Sequence, residues 1–156
     1  MMTTIQDTIV REVTLKAPME RVYEAISTPN GIRSWFANEV EGGCAVGEQP
    51  IFDEGDYGKF RVAITAANPH RHFAYRWVSS PNLANIGFTD NPLDHPNTLV
   101  EFFLEPCDEG TKLKVVESGF ASLPQDYAAK NVENNTGGWK HMLGNLEKYV
   151  TTGIPV

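Results

Sequence analysis

Residues 137–150 read Gly-Gly-Trp-Lys-His-Met-Leu-Gly-Asn-Leu-Glu-Lys-Tyr-Val. Trp139, Met142, Leu143, Leu146, Tyr149 and Val150 fall at offsets 0, 3, 4, 7, 10 and 11, which is one stripe of a helix. Lys140, Asn145, Glu147 and Lys148 lie outside the stripe. The pattern predicts one long helix that starts near Pro124, runs to about Val150 and is ended by Thr151-Thr152-Gly153. Gly137 and Gly138 sit inside it, and each costs about 1 kcal/mol relative to Ala in a helix interior. A close backbone approach, or room for a neighbouring ring or ligand, would offset that cost. His141 lies off the stripe and is expected at the surface.

An apolar helix face needs something to cover, and the chain upstream supplies it. Residues 8–16 alternate as a strand, with Ile9, Val13 and Leu15 on one parity. Ala17-Pro18 opens a helix with the stripe Met19, Val22, Tyr23 and Ile26, and Thr28-Pro29 stops it. A second short helix is expected from Gly31 to Phe36, burying Ile32, Trp35 and Phe36. The middle of the chain reads as a meander. A weak strand or bulge lies in 38–48, and a short strand runs from Pro50 to Asp53. Further strands are predicted at 58–66, 72–79, 98–105 and 111–117. Their inward sets are Phe60, Val62 and Ile64, then Phe73, Tyr75 and Trp77, then Val100, Phe102 and Leu104, then Leu113 and Val115. Outward Arg76, Glu101, Glu105, Lys112 and Lys114 alternate in sign from strand to strand, which mildly stabilises an antiparallel sheet.

This order is α+β. The terminal helix is the one element long enough to lie across a twisted sheet. A cylinder does not fill a concave surface, so large side chains or a pocket must occupy the space between them. Segment 80–97 holds three prolines and four asparagines in eighteen residues, so it cannot continue a strand. Loops of this length are usually functional or disordered. Leu83, Ile86, Phe88 and Leu93 make it too apolar for a solvated linker, and a flap over one end of the sheet is expected.

Composition narrows the function. The chain has 156 residues, 41% hydrophobic and 21% charged, with a net charge of −7. Residues 1–156 suit one domain with a single core. A pI near 5.0 argues against nucleic acid as a partner. No apolar run approaches the roughly 20 residues of a membrane span, so no membrane partner is expected. The start, Met1-Met2-Thr3-Thr4-Ile5-Gln6-Asp7, lacks the segments of a secretory signal, so a cytoplasmic location is expected. Cys44 and Cys107 are then reduced thiols. His70-Arg71-His72 places a cation between two histidines and lacks the three or four ligands of a zinc site, so no metal is expected. No glycine-rich phosphate loop, dinucleotide fingerprint or G-x-S-x-G nucleophile is present, so no cofactor and no catalytic group are assigned.

The run Ile9 to Phe36, with Ala17-Pro18 before Val22-Tyr23-Glu24-Ala25-Ile26 and then Arg33-Ser34-Trp35-Phe36, resembles the opening of START-like (SRPBCC) helix-grip domains. More narrowly, it resembles the subgroup named after the activator of Hsp90 ATPase. The likeness continues at Tyr75-Arg76-Trp77, Val100-Glu101-Phe102, Glu117-Ser118-Gly119-Phe120 and Gly138-Trp139, with Leu143 and Leu146 beyond. It covers nearly the whole chain. The resemblance implies a helix-grip fold: a seven-stranded antiparallel sheet curved around a long C-terminal helix, with two short helices after the first strand. It implies that the first and last strands are neighbours, and that a cavity for apolar ligands lies between sheet and helix.

Candidate ligand-binding residues are Trp35, Phe60, Phe73, Tyr75, Trp77, Phe102, Glu117, Phe120, Trp139 and Met142. The aromatic ones either pack as plain core or line a pocket, and the polar handles of Tyr75, Trp77 and Trp139 want partners when buried. Glu117 shares parity with Leu113 and Val115, so alternation points it inward, where a lone carboxylate is expensive. Arg11 has the inward parity of the first strand, so the two can pair if those strands are neighbours. Glu117 is then a polar anchor for a ligand head group, half of a structural ion pair, or turned out by a bulge. The leading expectation is a binder of a small hydrophobic molecule that performs no chemistry. A cyclase- or hydrolase-type enzyme using Glu117 or a tyrosine is the second reading. The subgroup's name suggests a third, a module with a chaperone partner.

Overall fold

Alternating polarity makes the strands of this chain, and proline punctuates its first helices. In the computed structural model, which describes residues 6–79 and 87–156, strand β1 (Thr8–Leu15) leads to helices α1 (Met19–Ser27) and α2 (Pro29–Arg33). Strands β2 (Glu39–Glu41), β3 (Ile51–Asp53), β4 (Lys59–Asn68), β5 (His72–Trp77), β6 (Thr98–Cys107) and β7 (Gly110–Ser118) follow. The long helix α3 (Gln125–Thr152) comes last. All the strands form one antiparallel seven-stranded sheet in the order β1-β7-β6-β5-β4-β3-β2. The architecture is therefore the α+β helix-grip fold, with the first and last strands as neighbours. Among the described residues no helix is long and apolar enough to cross a membrane.

Two boundaries differ from expectation for local reasons. Thr28-Pro29 does not only stop α1; it also starts α2. Proline fits the first helical position because its missing N–H has no partner there anyway. The Thr28 hydroxyl caps the new helix by accepting from the Gly31 N–H at 2.9 Å. The second helix thus begins at Pro29 and ends at Arg33, while Ile32, Trp35 and Phe36 are buried as expected. The second difference concerns 80–97. Leu83 and Ile86 lie outside the described residues. Residues 87–97 lie beside the outward face of β4, where the Arg61 Nε donates to the Phe88 carbonyl at 3.0 Å and Lys59 sits over the Phe88 ring. Phe88 and Leu93 are exposed, so this part does not close an end of the sheet.

On the outer face, the residues of the expected charge order bond to other partners than one another. Lys112 reaches Glu12 on β1 at 3.2 Å, and Glu101 is bonded to His72 on β5 at 2.9 Å. Arg76 donates instead to the Asn97 side chain. On the inner face, Leu143, Leu146 and Val150 of α3 are buried against the sheet, and His141 is exposed. Helix α3 ends at Gly153, whose left-handed backbone (φ 74°) lets its N–H close on the Tyr149 carbonyl at 2.7 Å.

No backbone approaches Gly137 or Gly138, since a Cβ at either would meet nothing within 4 Å. Gly31 is the opposite case, where a Cβ would collide with the Glu24 carbonyl of α1. Gly31→Ala is therefore expected to lower stability by about 1–3 kcal/mol through overpacking. Gly137→Ala should raise it by up to about 1 kcal/mol. Denaturant unfolding of the two variants beside the parent protein checks both signs.

Candidate functional site

Strand β7 keeps strict alternation to its end, so Leu113, Val115 and Glu117 all face inward, and Glu117 is completely buried. The register sets it opposite Ile9 of β1 and Val100 of β6. Arg11 stands opposite Val115, one inward position away, and makes no ion pair with Glu117. The expected Arg11–Glu117 pair is therefore absent. Neutral donors solvate the carboxylate instead.

Those donors come from three elements. The Trp77 Nε1–H of β5 donates to Oε2 at 2.9 Å, and the Thr98 hydroxyl of β6 donates to the same oxygen at 2.6 Å. From α3, the Trp139 Nε1–H donates to Oε1 at 2.8 Å, and the Asn135 amide straddles both oxygens at 3.0 Å. Burial pushes the Glu117 carboxyl above its ordinary range, and the bonds from Thr98, Trp139, Trp77 and Asn135 pull it back. Indole and amide N–H groups can only donate. Thr98 can turn round and accept if Glu117 takes up a proton, and so can Asn135 by flipping its amide; the two indoles cannot.

Fixing two indole N–H groups on one carboxylate fixes the rings. Trp77, Trp139 and Phe36 stand within 6.2 Å of one another, centroid to centroid, and Phe60 adds to the group at 5.9 Å from Trp77. With Asn135, Gly138, Met142, Ser79 and Glu54, these rings line a pocket of about 100 Å³ between sheet and helix. An adjoining hollow of about 170 Å³ shares Phe36, Glu54 and Met142 and reaches Arg33, Tyr57 and Asn145. Glu54 follows β3 in the turn before Gly55–Tyr57. Among the described residues no hydrogen bond or salt bridge engages its carboxylate, and burial pushes it up to about 7. Tyr75 is raised far above a normal phenol by burial, and then by the nearby charges of Glu117 and Glu54.

The middle of the molecule is full. Trp35, Phe36, Phe52, Tyr75 and Phe102 leave only about 10 Å³ between them. Trp35 spends its N–H on the Ala25 carbonyl at 2.8 Å and so ties the segment after α2 to α1. Phe73 and Phe120 are wholly enclosed. Of the ten candidates, Phe60, Trp77, Trp139 and Met142 meet at the pocket, with Glu117 behind the two indoles. Trp35, Phe73, Tyr75, Phe102 and Phe120 belong to the packed interior. Among the described residues both expected outcomes occur: wide rings fill most of the concave surface, and a small pocket is left at one side.

Glu54, Asn135 and Ser79 were not candidates from sequence. Asn131, Asn135 and Trp139 are spaced i, i+4, i+8, one helical face, and that spacing was a usable signal. Asn131 and Asn135 both donate to the Ser79 hydroxyl, at 3.1 and 2.8 Å. Nothing in the turn Glu54-Gly55-Asp56 sets Glu54 apart.

Comparison with known proteins agrees with this architecture. The family described as "Activator of Hsp90 ATPase homolog 1-like protein" matches residues 16–151. No curated protein matches the chain. Among solved structures, the Aha1 dimer from Colwellia psychrerythraea is similar at TM-score 0.75 and 19% identity, over 95% of this chain and 98% of that one. Protein MLL2253 from Mesorhizobium loti is similar at TM-score 0.71 and 23% identity, over 90% and 94%. DynU16, a protein in the dynemicin biosynthetic locus, is similar at TM-score 0.74 and 24% identity, over 96% of this chain and 49% of DynU16. This chain therefore spans about half the length of DynU16. Identities this low speak to the fold.

Two variants probe the buried carboxyls. Glu117→Gln sets an NH2 against obligate donors and should cost roughly 1–3 kcal/mol at pH 7. Thermal unfolding measures the loss, and near-UV circular dichroism should show the indoles released. Glu54 behaves differently. Its folded value of about 7 exceeds the ordinary 4.5, so its contribution to stability is complete below pH 4.5 and is lost as pH rises through 7. Glu54→Gln should therefore leave Tm unchanged at pH 4 and raise it at pH 8. The gain is at most about 3.5 kcal/mol, since one pKa unit is about 1.4 kcal/mol.

Proposed function

The chain belongs to the Activator of Hsp90 ATPase homolog 1-like family, and from that premise we propose that it binds a small, largely apolar molecule between α3 and the sheet. The observation that carries this reading is the pocket of about 100 Å³ walled by Phe36, Phe60, Trp77 and Trp139, with Met142 beside it. Drug-sized guests need roughly 300 Å³ or more. The pocket as it stands is also smaller than the apolar cavity of about 150 Å³ that holds benzene, so a guest the size of one ring needs side chains to move. Side-chain movement by Met142, which also borders the adjoining hollow, joins the two spaces for a longer guest. Methionine is suited to that role because its unbranched chain adapts its shape at little cost.

Acid–base chemistry at Glu117 is the weaker reading. Both of its oxygens are occupied by donors that cannot be released without breaking the link between sheet and helix. The family's name points to a chaperone ATPase, an activity that requires no small guest.

Toluene and indole are suitable probes. At tenfold its Kd a ligand adds about 1.4 kcal/mol, which should raise Tm by roughly 3–6 °C in a chain of this size. The Met142 methyl resonance should shift during titration of the parent protein, and Met142→Trp, which fills the space, should abolish the gain in Tm. Absence of any shift with both probes, or an equal gain in Tm in Met142→Trp, overturns the proposal. Stimulation of an Hsp90 ATPase by protein free of ligand would support the chaperone reading in its place.

A further inference from the structure

We propose that the guest of this pocket is a small organic cation, a primary or methylated ammonium on a short apolar stem, with its charge between Glu54 and the rings of Phe36, Phe60, Trp77 and Trp139. The inference deepens the ligand-binding reading and rests on it.

The chemistry of the lining selects the charge. The nitrogen donors near the pocket are already committed, and the Ser79 hydroxyl accepts from Asn131 and Asn135 while keeping its own hydrogen. The two indole N–H groups point at Glu117, and the Asn135 amide is divided between Glu117 and Ser79. With their polar edges turned away, the indoles can offer a guest only carbon and π-face. Among the described residues no lysine or arginine lines the pocket. Arg33, across the adjoining hollow, is bonded to the Asn30 side chain and lies 3.5 Å from Glu39. The charged group that remains is the Glu54 carboxylate, which lines both spaces and has no hydrogen-bond or salt-bridge partner among the described residues. A carboxylate or phosphate guest would meet that like charge with no compensating cation. A neutral guest would use the rings and leave Glu54 unmatched. An ammonium uses both, because aromatic faces carry the negative end of the ring quadrupole and attract cations within about 6 Å. The net charge of −7 enriches cations around the whole molecule.

The experiment compares three compounds of one shape at pH 8, where Glu54 is ionised. These are choline, its neutral carbon analogue 3,3-dimethylbutan-1-ol, and the anion 3,3-dimethylbutanoate, each followed by calorimetry and by the Met142 methyl resonance. Choline should bind at least tenfold tighter than the alcohol, with the anion weakest. Glu54→Gln should remove most of the preference for choline while retaining the alcohol's affinity, and Glu54→Asp should keep part of it. Equal binding of choline and the alcohol overturns the cation assignment and leaves an apolar pocket standing. Tighter binding of the anion overturns it as well. Failure of all three also overturns it, and the toluene and indole titrations then tell whether the pocket itself holds.

Discussion

A carboxyl group without a cation stands inside this protein, and neutral side chains replace the water it gave up. Burying an isolated carboxylate costs far more than one hydrogen bond returns, so Glu117 is tenable only because Trp77, Thr98, Asn135 and Trp139 converge on it. The convergence has a structural effect. Glu117 belongs to β7, Trp77 to β5, Thr98 to β6 and the other two to α3. One group therefore sets the height of the helix over three strands. Apolar contacts alone would allow the helix to slide by small amounts. The carboxylate's fixed acceptor geometry does not.

The same constraint decides how the space under the helix is used. Held by their N–H groups, the two indoles cannot turn to fill the volume beside Met142. On the other side of Phe36, nothing restrains Phe52, Tyr75 and Phe102 except packing, and they close up to near-solid density. A concave sheet holding a rod must leave volume somewhere. In this molecule it is left where polar bonds, and not contact area, determine the positions of the rings.

Much of this was legible in the chain. The stripe from Trp139 to Val150 gave the helix, and the alternation of β6 and β7 gave their inward sets, Glu117 included, because periods of 3.6 and 2 are enforced by one buried face. The order of elements, with the family resemblance, gave the sheet. Pairing with Arg11 is one of the options that parity leaves open for Glu117, because parity tells which face a residue is on and not how far along the strand it stands. The register placed Ile9, not Arg11, across from it. The pocket's volume was not legible at all. Phe102 and Phe60 look alike in sequence, yet one fills the interior and the other walls a hollow. Glu54 was missed for a related reason. A turn residue has no periodicity to betray which way its side chain goes.

Glycines 137, 138 and 144 leave α3 without side-chain support along the stretch that crosses the pocket. Glycine gives a helix more backbone freedom than any other residue, so the rod is softest there. Leu143 is buried within it, and beyond it Leu146 and Val150 stay seated against the sheet. Ahead of it, Tyr127, Ala128, Asn131 and Val132 are buried as well and Asn135 is tied to Glu117, so the rod is pinned on both sides of its softest turns. Backbone motion in α3 is therefore confined to the few turns that face the hollow.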